Sequence, residues 1–242
     1  MGDVFHSALD PDRIVETAAR LHARIVERFP TANLGSVAKT LHEVARHHAD
    51  RSARIRRPNW GWRGLSFLLI GCGITAIALL LWSAHSERDE WSLSQLVQTI
   101  EAGLSTAFFL GAGAVYVASL DMRSRRRRCL EALHELRAMA HIVDMHQLTK
   151  DPERALNVGP DTPSSPERTL SRFELSRYLD YCSEMLSLMG KIAALYVQAF
   201  PDPQAVDAVD DIEDLTTGLS NKIWQKIMIL DTAAPIAGKA TP

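Results

Sequence analysis

Cysteine is scarce in this 242-residue chain: there are three cysteines, and no two of them form a Cys-x-x-Cys pair. Single scattered cysteines do not build a disulfide framework, nor a zinc or redox motif that depends on paired thiols. Nucleophile elbows, phosphate-binding glycine loops and the signatures of kinases and metalloproteases are also absent. The sequence therefore predicts a protein that is not an enzyme and that has no cofactor.

Strand-like alternation of apolar and polar residues is missing over any useful length, whereas helical spacing recurs throughout. Charge is missing from two apolar stretches, 65–84 and 102–120. Each is close to the about twenty residues that a helix needs to cross roughly 30 Å of hydrocarbon. The sequence therefore predicts an all-α membrane protein, in which a two-helix transmembrane hairpin carries a cytosolic α-helical bundle built from long N- and C-terminal helices.

These patterns divide the chain into a cytosolic arm of two amphipathic helices, the transmembrane hairpin, a second cytosolic helical domain and a disordered tail. In that order, the four segments are 1–58, 59–121, 122–231 and 232–242. The outer loop of the hairpin is expected at 85–101. A linker that contains three prolines and a glycine is expected at 157–166.

Three helix starts are marked by a capping residue followed by proline. They are Asp10 with Pro11, Ser165 with Pro166, and Asp202 with Pro203. The helix after Pro166 has an apolar surface so wide that it requires partners on two sides. Its predicted buried positions are Leu175, Leu179, Cys182, Leu186, Met189, Ala193 and Tyr196, with a second stripe of Tyr178, Met185 and Ile192.

Arginine is concentrated beside the inner ends of the two predicted spans, and the loop between the spans is acidic. This asymmetry predicts that both termini are cytoplasmic, and the arginine- and alanine-rich composition suggests a bacterial inner membrane. Anionic lipids of the inner leaflet are the expected partners, and no nucleic acid is expected. The predicted membrane-interface residues are Arg54, Arg56, Arg57, Trp60, Trp62, Arg63, Arg125, Arg126, Arg127 and Arg128.

Small residues follow one face of each predicted span. Gly103, Ala107 and Gly111 are spaced four apart in the second span, and the first contains Gly71 and Thr75. Small side chains allow two helix backbones to approach closely in lipid. We interpret these residues as a helix-packing seam, either within the hairpin or between subunits of an oligomer, in preference to a pore lining.

Histidines form two clusters that are candidates for metal binding. His141 and Asp144 are three residues apart on one helix, and with His146 they could hold zinc if a second helix supplied further ligands. His146 points about 140° away from His141 on an ideal helix, however, so solvated histidines are the preferred interpretation. In the second cluster, only His48 falls on an apolar face; its members are His42, His47 and His48.

Three functions remain open. The first is a non-catalytic membrane protein that anchors a bundle which self-associates as a homo-oligomer or binds a cytosolic protein. The second is an oligomeric two-span channel or pore-forming effector with Glu101 at the pore mouth. In layout the chain resembles the two-span effectors of bacterial conflict systems and, more distantly, the calcium uniporters, whose Asp-Ile-Met-Glu signature it lacks. The third is a metal-binding regulatory membrane protein that uses the histidine clusters.

Overall fold

A computed structural model describes residues 8–56, 60–86, 93–152, 163–164 and 170–232. Across these residues the chain is helical apart from short connections, and no strand is present. The prediction of an all-α fold is therefore confirmed. The helices of the described part are α1 (Pro11–Arg28), α2 (Leu34–Arg56), α3 (Trp60–Ser86), α4 (Leu93–Leu148), α5 (Arg172–Ala199) and α6 (Pro203–Thr232).

The chain divides into two compact units. One, here called the bundle, comprises Met1–Arg56 and Arg128–Pro242 and contains α1, α2, α5, α6 and the C-terminal part of α4. The other, here called the apolar unit, comprises Arg57–Arg127 and contains α3 and the N-terminal part of α4. The two units differ in what they bury, and each is described by itself below.

Helix α1 begins as its sequence predicts. Asp10 is the N-cap, its carboxylate accepts a hydrogen bond from the Asp12 amide at 3.0 Å, and Pro11 occupies the first helical position. The same combination precedes α6, where Asp202 accepts from the Gln204 amide at 3.1 Å. In both cases a side-chain oxygen satisfies an amide that the helix itself leaves without a partner.

Helix α5 begins later in the chain than predicted. Ser171 is its N-cap, and it forms a capping box with Glu174: the hydroxyl accepts from the Glu174 amide, and the carboxylate accepts from the Ser171 amide at 2.8 Å. The predicted cap, Ser165 with Pro166, lies outside the described residues, and the helix that buries Leu175 begins at Arg172.

The bundle has one hydrophobic core, with α5 packed against α1, α2 and α6. The end of α4 contributes Leu133, Leu136, Ala140 and Val143 to the same core. Contact on several sides explains why α5 carries two apolar stripes. Every position predicted to be buried in α5 is buried: Leu175, Tyr178, Leu179, Cys182, Met185, Leu186, Met189, Ile192, Ala193 and Tyr196.

Helix α4 is continuous from Leu93 to Leu148, so the second apolar stretch and the amphipathic helix after it form one element. Its first residues, 93–101, fall in the predicted outer loop and are helical.

Among the described residues, one helix is long and apolar enough to cross a membrane, Val97–Leu148 within α4. The apolar helical stretch found in α3 is shorter, Ile70–Leu79. One candidate span is thus present, and the two-span hairpin is not established.

Candidate functional site

The apolar unit exposes many large hydrophobic side chains. On α4, Leu104, Phe108 and Phe109 are each at least 70% exposed, and on α3 Phe67 and Ile74 are 68% and 64% exposed. Soluble monomers seldom expose contiguous apolar patches larger than a few hundred Å². A surface of this composition is suited to hydrocarbon, or to other helices within it.

The close contact within the apolar unit involves a different glycine from the ones predicted. A Cβ added at Gly73 would lie 2.5 Å from Cδ1 of Leu110, whereas one added at Gly71, Gly103 or Gly111 would meet no heavy atom within 4 Å. Thr75 and Ala107 are also exposed. Gly73 is therefore where α3 and α4 approach each other. Among the described residues, the predicted seam makes no such close contact between α3 and α4, and its role as a seam stays a prediction.

The hydroxyl groups of the apolar unit are bonded to their own helices. Thr75 donates to the Gly71 carbonyl at 2.8 Å, and Thr106 donates to the Ala102 carbonyl at 2.7 Å. Hydroxyls used in this way are less available to line a polar conduit. Glu101 is exposed. None of these contacts favours the pore alternative over the others.

Of the predicted interface arginines that the structure describes, four are exposed and two, Arg125 and Arg126, are half-buried. Arg54 and Arg56 at the end of α2 are exposed, and so are Arg127 and Arg128 of α4; Arg126 is half-buried. Arg125 is paired within the chain, its Nε 3.5 Å from Oδ2 of Asp121. Arg57 and the side chains of Trp60, Trp62 and Arg63 lie outside the described residues.

A polar network is buried in the bundle, and His48 of α2 is at its centre. The His48 side chain is 1% exposed, and its Nδ1 lies 2.8 Å from the Tyr196 hydroxyl of α5. Its Nε2 lies 3.4 Å from a carboxylate oxygen of Glu135 in α4, which is longer than an ordinary hydrogen bond. Three helices therefore meet at one imidazole.

Burial keeps this imidazole neutral. Desolvation lowers the pKa of His48 from 6.5 to about 4; the charge of Arg51 adds to this shift, and that of Glu135 opposes it. A neutral imidazole has one N–H donor and one acceptor nitrogen, and a carboxylate can only accept. The arrangement therefore favours the tautomer with the proton on Nε2, toward Glu135, while Tyr196 donates its hydroxyl proton to Nδ1.

Arg51 extends the network and links α2 to α4. Its guanidinium lies 2.9 Å from Oε1 of Glu135 and 3.7 Å from Oε2 of Glu131, and it donates to the Arg128 carbonyl at 3.2 Å. Sequence reasoning missed this network. A usable signal was that His48 and Tyr196 both fall on buried stripes, since buried polar groups almost always have a hydrogen-bond partner.

A second buried polar contact joins α6 to the end of α4. Lys226 donates to the backbone carbonyl of Gln147 at 2.8 Å and to its side-chain oxygen at 2.7 Å, and the Gln147 amide donates to Asp144 at 2.6 Å. Burial lowers the pKa of Lys226, and the nearby charges of Asp151 and Asp144 oppose this shift. The contact satisfies the polar atoms of the Gln147 side chain, which is 2% exposed.

The predicted metal ligands are not brought together. Within the described part of the chain, no group of three or more His, Cys, Asp or Glu side chains is arranged to hold a metal ion. His141 is exposed, Asp144 accepts from Gln147, and His146 lines a surface cavity. Of the second cluster, His48 is bonded to Tyr196.

The cysteines are free thiols, as the sequence predicts. Burial raises the pKa of Cys129 to about 11 and that of Cys182 to about 12. Because the thiolate is the reactive form, both side chains behave as small core residues at neutral pH.

Comparison of the chain with models of protein families, with curated proteins and with solved structures finds no match.

Proposed function

We propose that this protein is a non-catalytic, integral membrane protein that self-associates through its apolar unit and anchors the helical bundle at the inner face of the cytoplasmic membrane. The observation that carries the proposal is the contrast between the two units. The bundle buries its apolar stripes in a core of its own, whereas about 70% of the surface of Phe67, Leu104 and Phe108 in the apolar unit is exposed.

A membrane accounts for that exposure. No Asp, Glu, Lys or Arg occurs at 64–84 or at 102–120, so α3 and α4 each offer hydrocarbon-compatible surface of about the required length. Backbone groups inside such helices are bonded within the helix, as a lipid environment requires. We therefore propose that both helices span the bilayer. The arginines before α3 and after the apolar part of α4 favour cytoplasmic termini.

Self-association is supported by the small residues that α3 and α4 do not use against each other. Gly71, Gly103 and Gly111 have open space where a Cβ would be, and Ala107 is exposed beside them. In lipid, helices associate mainly by close van der Waals packing at such residues. These faces are therefore available to a second copy of the chain.

Paired charge substitutions test the membrane assignment. Leu104→Arg with Phe108→Arg introduces two guanidiniums on exposed α4 positions of the apolar unit, at a cost of roughly 2.5–3.5 kcal/mol each for membrane insertion. We expect the wild type to stay in the membrane fraction after alkaline carbonate extraction, and a larger fraction of the double variant to be extracted, because one of its two proposed spans is weakened. Met145→Arg with Leu148→Arg is the matched control, because these bundle residues are 68% and 62% exposed. Equal behaviour of the two double variants would contradict the proposal.

Topology is tested by single cysteines and a membrane-impermeant maleimide in intact cells. Asp89→Cys, in the acidic stretch between the spans, should be labelled in intact cells. Thr232→Cys, at the end of α6, should be labelled only after the membrane is opened. Labelling of Thr232→Cys in intact cells would contradict the proposed orientation.

The mass of the full-length protein in lipid nanodiscs tests self-association. We expect an oligomer for the wild type, and dissociation when Gly103→Leu and Gly111→Leu are combined, because leucine keeps the helices apart. Val115→Leu is the control, since Val115 is 71% exposed on the same helix and its replacement changes no small residue. A monomeric wild type would contradict self-association while leaving the membrane assignment intact.

A further inference from the structure

A cavity of about 560 Å³ opens at one end of the bundle. Its walls come from the α1–α2 connection, the end of α4 and the start of α5. Pockets that hold small organic ligands in proteins usually measure roughly 300–1,000 Å³. The cavity is thus large enough for a small molecule, and three separate parts of the chain shape it.

Two cations from distant parts of the chain line this cavity, Arg28 at the end of α1 and Lys150 just after α4. The Arg28 guanidinium lies 5.6 Å from the centre of the Phe173 ring, and the Lys150 ammonium lies 5.3 Å from that of Tyr178. Among the described residues, neither cation forms an ion pair with a carboxylate. Both therefore retain hydrogen-bond donors for an anion.

The remaining polar groups of the wall suit an anion with several acceptor oxygens. Thr31 and Thr149 supply hydroxyl groups, and His146 supplies an imidazole. One carboxylate lines the cavity, that of Glu174, and it is already bonded to the amide and the hydroxyl of Ser171. The hydrogen bonds to Ser171 lower the pKa of Glu174, so it is ionised and contributes one opposing charge.

Part of the wall is apolar and aromatic. Phe29 and Tyr178 pack edge to face with their ring centres 5.9 Å apart, and Met145 adds an exposed thioether. A phosphate monoester carries a charge of about −1.5 to −2 at neutral pH, which matches two cations, and three strong acceptor oxygens. Phe29 and Tyr178 are themselves 5% and 4% exposed, so the organic part would contact the exposed side chain of Met145.

The position of the cavity favours a ligand from solution over a lipid headgroup. Its α2 end is at Asn33, and the proposed membrane-interface residue Arg56 is at the other end of α2. A helix of that length separates the two ends by roughly 35 Å. A headgroup bound at Arg56 would therefore be a full helix length away from the cavity.

We propose that this cavity binds a small organic phosphate from solution, with the phosphate held by Arg28 and Lys150 and the organic part against Met145. Binding at this site does not require the membrane-anchoring function proposed above. Its chemistry is recognition of a doubly charged anion by two separate cations. No bond of the ligand is made or broken.

Isothermal titration calorimetry of the full-length protein in a non-ionic detergent tests the site, with phenyl phosphate as the probe. We expect saturable binding of phenyl phosphate, weaker binding of inorganic phosphate and none of phenol. Arg28→Gln and Lys150→Gln should each weaken binding at least about tenfold, because each removes a charge-assisted hydrogen bond. Arg20→Gln is the control, since Arg20 is paired with Glu16 on the exposed side of α1.

Glu174→Gln separates binding from folding. Glutamine preserves the capping box while removing the opposing charge, so phenyl phosphate should bind more tightly, by a few fold. If Glu174 had only a structural role, its replacement by glutamine would not increase the affinity for phenyl phosphate. Absence of saturable phenyl phosphate binding to the wild type would overturn the proposal, and so would equal binding by Arg28→Gln and Arg20→Gln. Binding of dioctanoyl phosphatidic acid without binding of phenyl phosphate would overturn the assignment to a ligand from solution.

Discussion

The hydroxyl of Tyr196 lies 2.8 Å from Nδ1 of His48, and both side chains are buried in the bundle. The two residues are separated by 148 positions in the chain. Their rings also meet edge to face, with centres 5.6 Å apart. The contact therefore combines a specific hydrogen bond with aromatic packing, and it joins α2 to α5.

Removal of the Tyr196 hydroxyl should destabilise the bundle. Tyr196→Phe leaves Nδ1 of His48 as a buried acceptor without a donor, which costs about 1–3 kcal/mol. Tyr178→Phe is the matched control, because its hydroxyl lies 3.5 Å from the His146 carbonyl and forms at most a weak bond. Chemical denaturation of the full-length protein in detergent, followed by circular dichroism, measures both. An equal decrease in the free energy of unfolding of Tyr196→Phe and Tyr178→Phe would contradict the role assigned to the Tyr196 hydroxyl.

Acid should weaken the bundle through His48. The pKa of His48 is about 4 in the folded protein against 6.5 for the ordinary side chain, so between these values the unfolded chain binds more protons. The free energy of unfolding therefore falls as the pH decreases from about 6.5 to 4, by up to roughly 3 kcal/mol. Above pH 6.5 this contribution is fully present.

The same denaturation experiment, repeated between pH 7 and pH 4, checks this expectation. His48→Asn keeps an acceptor for Tyr196 but does not titrate, so it should flatten the pH dependence. His141→Asn is the control, because His141 is exposed. If the free energy of unfolding of His48→Asn depended on pH as steeply as that of the wild type, groups other than His48 would cause the loss of stability in acid.

Arg51→Met should loosen the contact between α2 and α4. It removes the ion pairs with Glu135 and Glu131 and one bond to the Arg128 carbonyl, and we expect a loss of about 1–2 kcal/mol because both glutamates are partly exposed. The charge of Arg51 also lowers the pKa of His48, so its removal narrows the gap between the folded and unfolded pKa of His48, and the loss of stability between pH 6.5 and pH 4 should become smaller. Arg46→Met is the control, since Arg46 contacts His42 on the exposed side of α2.

Gly73→Ala should disturb the apolar unit, whereas Gly71→Ala should not. The added methyl group at position 73 would lie 2.5 Å from Cδ1 of Leu110, so that side chain must move, at a cost of about 1 kcal/mol because only its flexible end is displaced. Unfolding by SDS titration in mixed micelles measures the difference. Addition of Leu110→Ala to Gly73→Ala should restore part of the stability, because it frees the space that the methyl group needs. Equal SDS unfolding midpoints for Gly73→Ala and Gly71→Ala would contradict the packing of Gly73 against Leu110.

Several features were determined by the sequence alone. Helix α1 begins at its predicted cap, and α6 begins where Asp202 and Pro203 predict. The apolar stripes were predicted correctly because periodicity is a local property: residues three and four apart share a helix face whatever that face contacts. Helix α5 shows this, since its predicted apolar positions, including Leu179 and Leu186, are all buried.

The tertiary structure decided which faces meet. Spacing placed His48 on an apolar face but could not supply Tyr196 or Glu135, which come from other helices. The same limit explains why Gly73, and not the regularly spaced glycines, is the position where α3 and α4 approach. The cavity between Arg28 and Lys150 likewise exists only because the ends of separate elements converge. Periodicity fixes the faces of a helix, whereas the packing of whole helices selects their partners.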